Sequence, residues 1–232
     1  MPQSQVPNPG FPMRALIFAA GRGERMRPLT ETTPKPLLQV GGKRLIEWHL
    51  ESLARAGVRE IVINTSHLAE QFPAALGDGS RWGLQISYSY EGPEPLETGG
   101  GMLHALPLLG AAPFIAVNGD IWTDFDFSTL PQNPNGLAHL VLVDNPTHHP
   151  RGDFGLEHGL VFDEPRLTFA GFGVYRSELL GSHAPGWFGI APILRAAMRN
   201  GKISGEHFHG AWCDIGTPQR LAELDARLRQ AI

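Results

Sequence analysis

In the first half of the chain, segments with the pattern of buried strands alternate with segments of helical spacing. Arg14–Ala20 reads RALIFAA, a continuous apolar run ended by glycine, as a strand covered on both faces would be. Glu60–Asn64 (EIVIN), Leu84–Tyr90 and Pro113–Asn118 (PFIAVN) are further strand patterns. Between them, Leu45, Trp48, Leu50 and Leu53 repeat near helical spacing within Arg44–Ala56, and Gly57 stands where a glycine ends a helix. Helices are also predicted at His67–Leu76 and Gly101–Leu109. This alternation predicts a parallel, doubly wound sheet with right-handed crossovers.

The second half has a different pattern. Gly136–Asp144, Arg166–Tyr175 and Lys202–His209 read as strands joined by glycine-rich connections, with helices at Ile190–Met198 and Gln219–Gln230. The expected architecture is one α/β domain, a Rossmann-like doubly wound sheet made mixed by its second half. Residues 1–12, with four prolines and no periodicity, read as a disordered leader ahead of a domain at 13–232.

Composition narrows the possible chemistry. Nineteen Lys and Arg against 23 Asp and Glu give a net charge of −4, so no basic excess points to nucleic acid. The single cysteine, Cys213, excludes an internal disulfide framework and a cysteine-based zinc site. No apolar run approaches the roughly 20 residues that span a bilayer, and no secretory signal pattern opens the chain, so a cytoplasmic protein is expected. A monomer is the default expectation for its association state.

The loop after the first strand, AAGRGERMRP (Ala19–Pro28), carries Gly21 and Gly23 with Arg22, Arg25 and Arg27 close behind. Such a loop can turn backbone N–H groups toward phosphate oxygens while arginines add charge-assisted bonds. Glu24-Arg25 after Gly23 excludes a Walker loop, and Met26 stands where a dinucleotide fingerprint needs its third glycine. A G-x-G turn alone is equally a plain structural turn. Downstream, Lys35 lies between Pro34 and Pro36, on what the prolines predict to be a stiff extended segment. A lysine held there suits a phosphate, although most lysines are simply solvated.

Other candidates come from the strand ends. Asp120 follows PFIAVN at the edge of the sheet where such folds bind ligands, and it can serve as a Mg²⁺ carboxylate or as a turn residue. Asp214, in AWCDIGTPQR, is either a second such carboxylate or an acid near a helix start. EPLETGGG (Glu94–Gly101) offers three glycines ahead of a predicted helix, for close ligand approach or for a flexible turn. Asn118 and Asp153 can bond hydroxyl groups, Asp153 being equally a hairpin aspartate, and Gly171 can admit a ring closely. His207 and His209 would share one face of a strand, but no further Cys or clustered His completes a transition-metal site with them, or with His148-His149.

The run FAAGRGERMRPLTETTPKPLLQV resembles the signature of the sugar-phosphate nucleotidyltransferases, with Phe18 in place of the usual leucine. That resemblance implies the fold of the nucleotide-diphospho-sugar transferases and a reaction joining a nucleoside triphosphate to a sugar 1-phosphate. It implies Arg25 and Lys35 as catalytic residues, with Lys35 and Gly23 also meeting the nucleotide phosphates. Ala19, Ala20 and Gly21 would flank one side of the base, and Glu94, Gly99 and Gly100 the other. Asn118, Asp153 and Gly171 would meet the sugar, and Asp120 and Asp214 would hold Mg²⁺ as the cofactor. Glu97 departs from the family's P-L-G-T pattern. The absence of lysine in Asp163-Glu164-Pro165-Arg166 argues against the common guanylyl and thymidylyl branches.

The PLETGGG, LVDNP, RGDF and SGEHF segments are similar to the short uridylyltransferase branch of peptidoglycan recycling. The substrates so implied are UTP and N-acetylmuramic acid α-1-phosphate. The acceptor's lactyl carboxylate calls for a cation, since a buried unpaired carboxylate is costly; Arg151, two residues from Asp153, or else Arg166 is the candidate, and an exposed hairpin arginine is the plain alternative. The alternatives are a mannose-1-phosphate guanylyltransferase, another sugar or polyol phosphate transferase, or a non-catalytic regulatory nucleotide-sugar-binding protein.

Overall fold

Parallel pairing of the first-half strands builds the frame on which everything else is hung. The computed structural model describes residues 13–181 and 183–230; the expected leader at 1–12 lies outside them. In chain order the strands are β1 (Ala15–Phe18), β2 (Gln39–Val40), β3 (Lys43–Arg44), β4 (Glu60–Thr65), β5 (Gln85–Tyr90), β6 (Phe114–Asn118), β7 (Ile121–Thr123), β8 (Ala138–Val143), β9 (Phe154–Glu157), β10 (Leu160–Tyr175), β11 (Ile203–His207) and β12 (Trp212–Asp214). The helices are α1 (Leu45–Arg55), α2 (Gln71–Leu76), α3 (Glu97–Leu109), α4 (Ala191–Met198) and α5 (Pro218–Gln230).

Among the described residues one sheet runs β11-β8-β10-β6-β1-β4-β5, with β9 beside β10. β1 pairs in parallel with both β4 and β6, and β4 with β5. β10 then enters antiparallel between β6 and β8, which makes the sheet mixed as expected. Alternate residues of the central strands face opposite layers. Ala15, Ile17, Ile61 and Ile63 pack with Ile46, Leu50 and Leu53 of α1. Leu16, Val62 and Ala116 pack with Met102, Ala105 and Leu109 of α3 and Leu194 of α4. A third cluster seats Leu224 and Leu228 of α5 against Trp122, Ile215 and Val40. The small ladder β7–β12 links that cluster to the sheet edge.

The apolar spacing that predicts α1 is observed, including Gly57 just past its end at φ +97°. Two sequence expectations need correction. Lys35 is not on an extended segment: Lys35–Leu37 is a 3-10 turn, closed by the Leu37 N–H donating to Pro34 O at 2.8 Å. Pro36 tolerates this because its fixed φ suits the first positions of a helical turn. The glycines of Glu94–Gly101 do not precede a helix either. Helix α3 begins at Glu97, so Gly99, Gly100 and Gly101 lie within its first turns.

Candidate active site

Two cavities open along the edge of the sheet where β1 and β6 end, and they share a wall. The larger, of ≈ 680 Å³, is lined by Ala19 to Met26, Lys35, Asn64, Glu91, Glu97 and Thr98 among others. The smaller, of ≈ 360 Å³, is lined by Pro146, His148, His149, Thr168 to Gly171, Trp212 and Asp214 among others. Arg25, Asn118 and Asp120 line both. A group bound in one cavity therefore meets a group bound in the other across those three side chains.

The larger cavity is framed by main chain. Gly23 takes φ +62°, and a Cβ there would stand 2.9 Å from Thr30 Cγ2. Thr30 Oγ1 and the Met26 N–H both donate to Gly23 O at 2.8 Å, which fixes the loop. The Ala19 N–H donates to Asn64 Oδ1 at 2.6 Å, and Asn64 Nδ2 donates to Glu91 Oε1 at 2.5 Å. The other Glu91 oxygen accepts from the Leu96 N–H at 2.7 Å. This relay ties the Ala19 loop to the start of α3, with the cavity between them. Burial pushes the Glu91 carboxyl above its usual range, partly offset by the Leu96 and Asn64 bonds.

Lys35 and the two aspartates stand where the cavities meet. Lys35 is buried, and its Nζ is 2.7 Å from Asp120 Oδ2. Asp214 on β12 is level with Ile121 on β7, and the Ile215 N–H donates to Asp120 O at 2.7 Å, which brings the two aspartates to one edge. Arg220 Nη1 contacts both Asp214 oxygens at 2.7 Å, and His148 Nε2 is 2.8 Å from Asp214 Oδ1. Two carboxylates on one cavity, each already facing a cation or imidazole, form a hard-oxygen donor set that fits a divalent ion. Cys213 alternates to the opposite side of β12, where burial pushes its thiol up to about 11. It is half-buried and packs against the cluster that holds α5.

Of the sequence candidates, Ala19, Ala20, Gly21, Gly23, Arg25, Lys35, Asn118, Asp120, Gly171 and Asp214 all line a cavity. Gly171 takes φ +83°, and a Cβ there would press Asn118 Nδ2 at 2.9 Å. The remainder sit elsewhere. Glu94 is exposed and paired with Arg22 at 2.6 Å. Gly99 and Gly100 are buried beneath the 186–188 segment: both N–H groups donate to Phe188 O at 3.0 Å, and a Cβ on Gly100 would run into Gly186 O. Their close approach is to this chain's own backbone. Asp153 spends its oxygens on His149 Nε2, at 3.1 Å, and on the Phe169 N–H, at 2.9 Å. Arg151 is exposed, Arg166 pairs with Glu157 and Glu164, and neither lines these cavities.

Sequence reading missed Asn64, Glu91, Thr168 and Trp212, and it weighed His148 and His149 for a metal alone. The signal for Asn64 was available: a polar residue closing an otherwise apolar strand at the ligand edge.

A family model described as Nucleotidyl transferase matches residues 14–158. The N-acetylmuramate alpha-1-phosphate uridylyltransferase of Neisseria meningitidis serogroup B is 52% identical over 225 residues, covering 92% of this chain and 97% of that one. The protein of the same name from Caulobacter vibrioides is 33% identical over 238 residues, covering 95% and 98%. A crystal structure described as a glucose-1-phosphate thymidylyltransferase from Bacillus anthracis superposes with a TM-score of 0.82 at 22% identity, covering 94% of this chain and 95% of that one; at that identity it speaks for the fold. The phosphate-type loop, the paired aspartates and these likenesses converge: this chain belongs to the nucleotidyl transferase family.

Proposed function

We propose that this protein transfers a uridylyl group from UTP to N-acetylmuramic acid α-1-phosphate, releasing pyrophosphate. The observation that carries the reaction class is the shared wall of the two cavities, where Arg25, Asn118 and Asp120 face both. The choice of substrates rests on the Neisseria relative, which matches this chain over almost its whole length.

In this reading the larger cavity takes UTP and the smaller one takes the sugar phosphate. The acceptor phosphate has a second pKa near 6, so it reaches the site largely as a dianion and needs no general base. One of its oxygens attacks the α-phosphorus, the bond from that phosphorus to the β-phosphate bridge breaks, and pyrophosphate leaves with the electron pair. What this chain must supply is alignment of two polyanions and countercharge. The Gly21–Gly23 loop turns main chain to the phosphates. Lys35, held by its 3-10 turn, brings a buried ammonium to the junction, and Arg25 adds a second cation reaching both cavities. Asp120 and Asp214 would hold Mg²⁺, which would supply further charge neutralisation.

No helix among the described residues is long and apolar enough to cross a membrane. The proposed setting is the cytoplasm, where nucleoside triphosphates are found, and the proposed role is in peptidoglycan recycling.

Pyrophosphate release across a panel of UTP, GTP, CTP and dTTP with the 1-phosphates of N-acetylmuramic acid, N-acetylglucosamine, glucose and mannose tests the reading. UTP with N-acetylmuramic acid α-1-phosphate is expected to give the highest kcat/KM. A preference for GTP with mannose 1-phosphate would overturn the substrates, and no release with any pair would overturn the reaction.

A further inference from the structure

Outside both cavities, the connections leaving β8 and β11 meet at a cluster of three potential ligands. Asp144 directly follows β8, His207 closes β11, and His209 lies two residues further on. One ligand atom from each lies within 4.8 Å of the others. His207 Nε2 is 3.0 Å from Asp144 Oδ1, and the two imidazole rings have centroids 3.9 Å apart.

The fold holds these segments together. β8 and β11 pair in parallel with His207 level with Leu142, and the Phe208 N–H donates to Leu142 O at 2.8 Å. Phe208 points inward against Phe125, with ring centroids 5.0 Å apart, so its neighbours His207 and His209 turn the other way, to one side. Just beyond, the Ala211 N–H donates to Asp124 Oδ1 at 2.8 Å and anchors the chain. The sequence shows the two histidines on one face; strand pairing adds the carboxylate from 63 residues earlier.

We propose that Asp144, His207 and His209 form a binding site for a divalent transition-metal ion of the Zn²⁺ or Ni²⁺ type, with water completing its shell. Two imidazoles and one carboxylate are a borderline donor set that favours such ions, whereas Mg²⁺ prefers oxygen ligands and keeps its water. At metal–ligand distances of about 2.0–2.2 Å, neighbouring ligand atoms of a tetrahedral site stand roughly 3.3–3.6 Å apart, a few tenths of an ångström beyond the 3.0 Å between His207 and Asp144. Asp144 is exposed at the surface and can turn to complete the set.

The location gives the ion a structural consequence. The segment starting at Asp144 carries His148 and His149 into the smaller cavity, and the segment leaving His209 carries Trp212 and Asp214 there. A bound ion would staple the two segments at their roots.

The test is calorimetric titration of the tag-free, chelator-treated full chain with ZnCl₂ in millimolar Mg²⁺, with the absorption spectrum of the Co²⁺-loaded protein as a second readout. One ion per chain is expected, in the micromolar range or tighter, with imidazole-type Co²⁺ bands. His209→Ala and Asp144→Asn should each weaken binding at least about tenfold, since losing a ligand should cost no less than losing a group that merely orients one. His207→Ala combined with His209→Ala should abolish it, while Asp120→Asn combined with Asp214→Asn should leave it intact. Thermal melts show that each variant is folded. Absence of saturable micromolar binding, or binding that follows Asp120 and Asp214 instead, would overturn the proposal. Pyrophosphate release is not the readout, so the result stands apart from the substrate assignment.

Discussion

The two cavities are built in contrasting ways. The larger one is framed by consecutive residues, Ala19 to Met26, whose main chain is fixed by glycine conformation and by bonds from Thr30 and Asn64. The smaller one is assembled from residues on separate stretches: Pro146, His148 and His149, then Thr168 to Gly171, then Trp212 and Asp214. A frame made of a loop's own backbone serves any phosphate donor of the same shape. A wall made of distant side chains can change one residue at a time, and in the proposed reading selectivity for the acceptor would be adjusted there without disturbing the donor.

The largest expected effect falls where the two cavities meet. Asp120→Asn or Asp214→Asn should each cost about 10³-fold or more in kcat, and the double variant should be little worse, because residues serving one charge site act as a unit. Fully multiplicative losses in steady-state kinetics would show two independent roles. Lys35→Ala should follow, with a loss of about 10²–10³-fold in kcat and an intact thermal melt. Near-normal turnover would reduce its ion pair with Asp120 to a structural contact.

A smaller effect comes from behind the wall. His49 is buried on α1, with Nε2 2.9 Å from Ile121 O, next in chain to Asp120. Burial pushes its pKa down to about 4, against the raising influence of the Ile121 bond and the Asp120 charge. An unfolded histidine titrates near 6.5, so below that pH the unfolded chain takes a proton that the folded chain refuses until about pH 4. Stability is therefore full above pH 6.5 and falls on acidification between the two values, by on the order of 3 kcal/mol. Urea unfolding across this range should show a shallower fall in His49→Gln than in the parent chain. Parallel curves would mean that His49 does not stay neutral.

The smallest effect concerns the entry to α3. Glu97 takes φ +65°, where a side chain is strained and glycine is at ease, and it stands where the family pattern has glycine. Glu97→Gly should raise stability by a few tenths to about 1 kcal/mol, the relief being reduced by the greater freedom of glycine in the unfolded chain. A lower urea midpoint would show that the Glu97 side chain makes a compensating contact.

The contrast between the cavities also explains what could be read from sequence. β1 with its glycine loop, α1 with Gly57, and Asp120 after β6 were legible because each is written in a few consecutive residues. The short ladder β7–β12 was not, since Ile121–Thr123 and Trp212–Asp214 become strands by pairing across some 90 residues. Asp153 was a candidate because its type fits a hydroxyl, and Glu94 because the family resemblance places it at the base. The structure gives Asp153 to the nearby His149 and to the Phe169 N–H, and Glu94 to Arg22; Phe169 and Arg22 come from other stretches of the chain. The three glycines were recognised as a place of close approach, but what approaches Gly99 and Gly100 is the 186–188 segment, some 90 residues away, and what approaches Gly101 is the Glu91 and Asn64 side chains.

The division between donor and acceptor cavities is tested most directly by the Michaelis constants for both substrates in two variants, Glu91→Gln and His149→Ala. Glu91→Gln weakens the relay that ties the Ala19 loop to α3, so the KM for UTP should rise about tenfold while that for the sugar phosphate stays within about twofold. His149→Ala removes a wall of the smaller cavity and should produce the reverse pattern. If either variant raised both constants equally, or if the effects were exchanged, the assignment of the larger cavity to UTP and the smaller to the sugar phosphate would be contradicted.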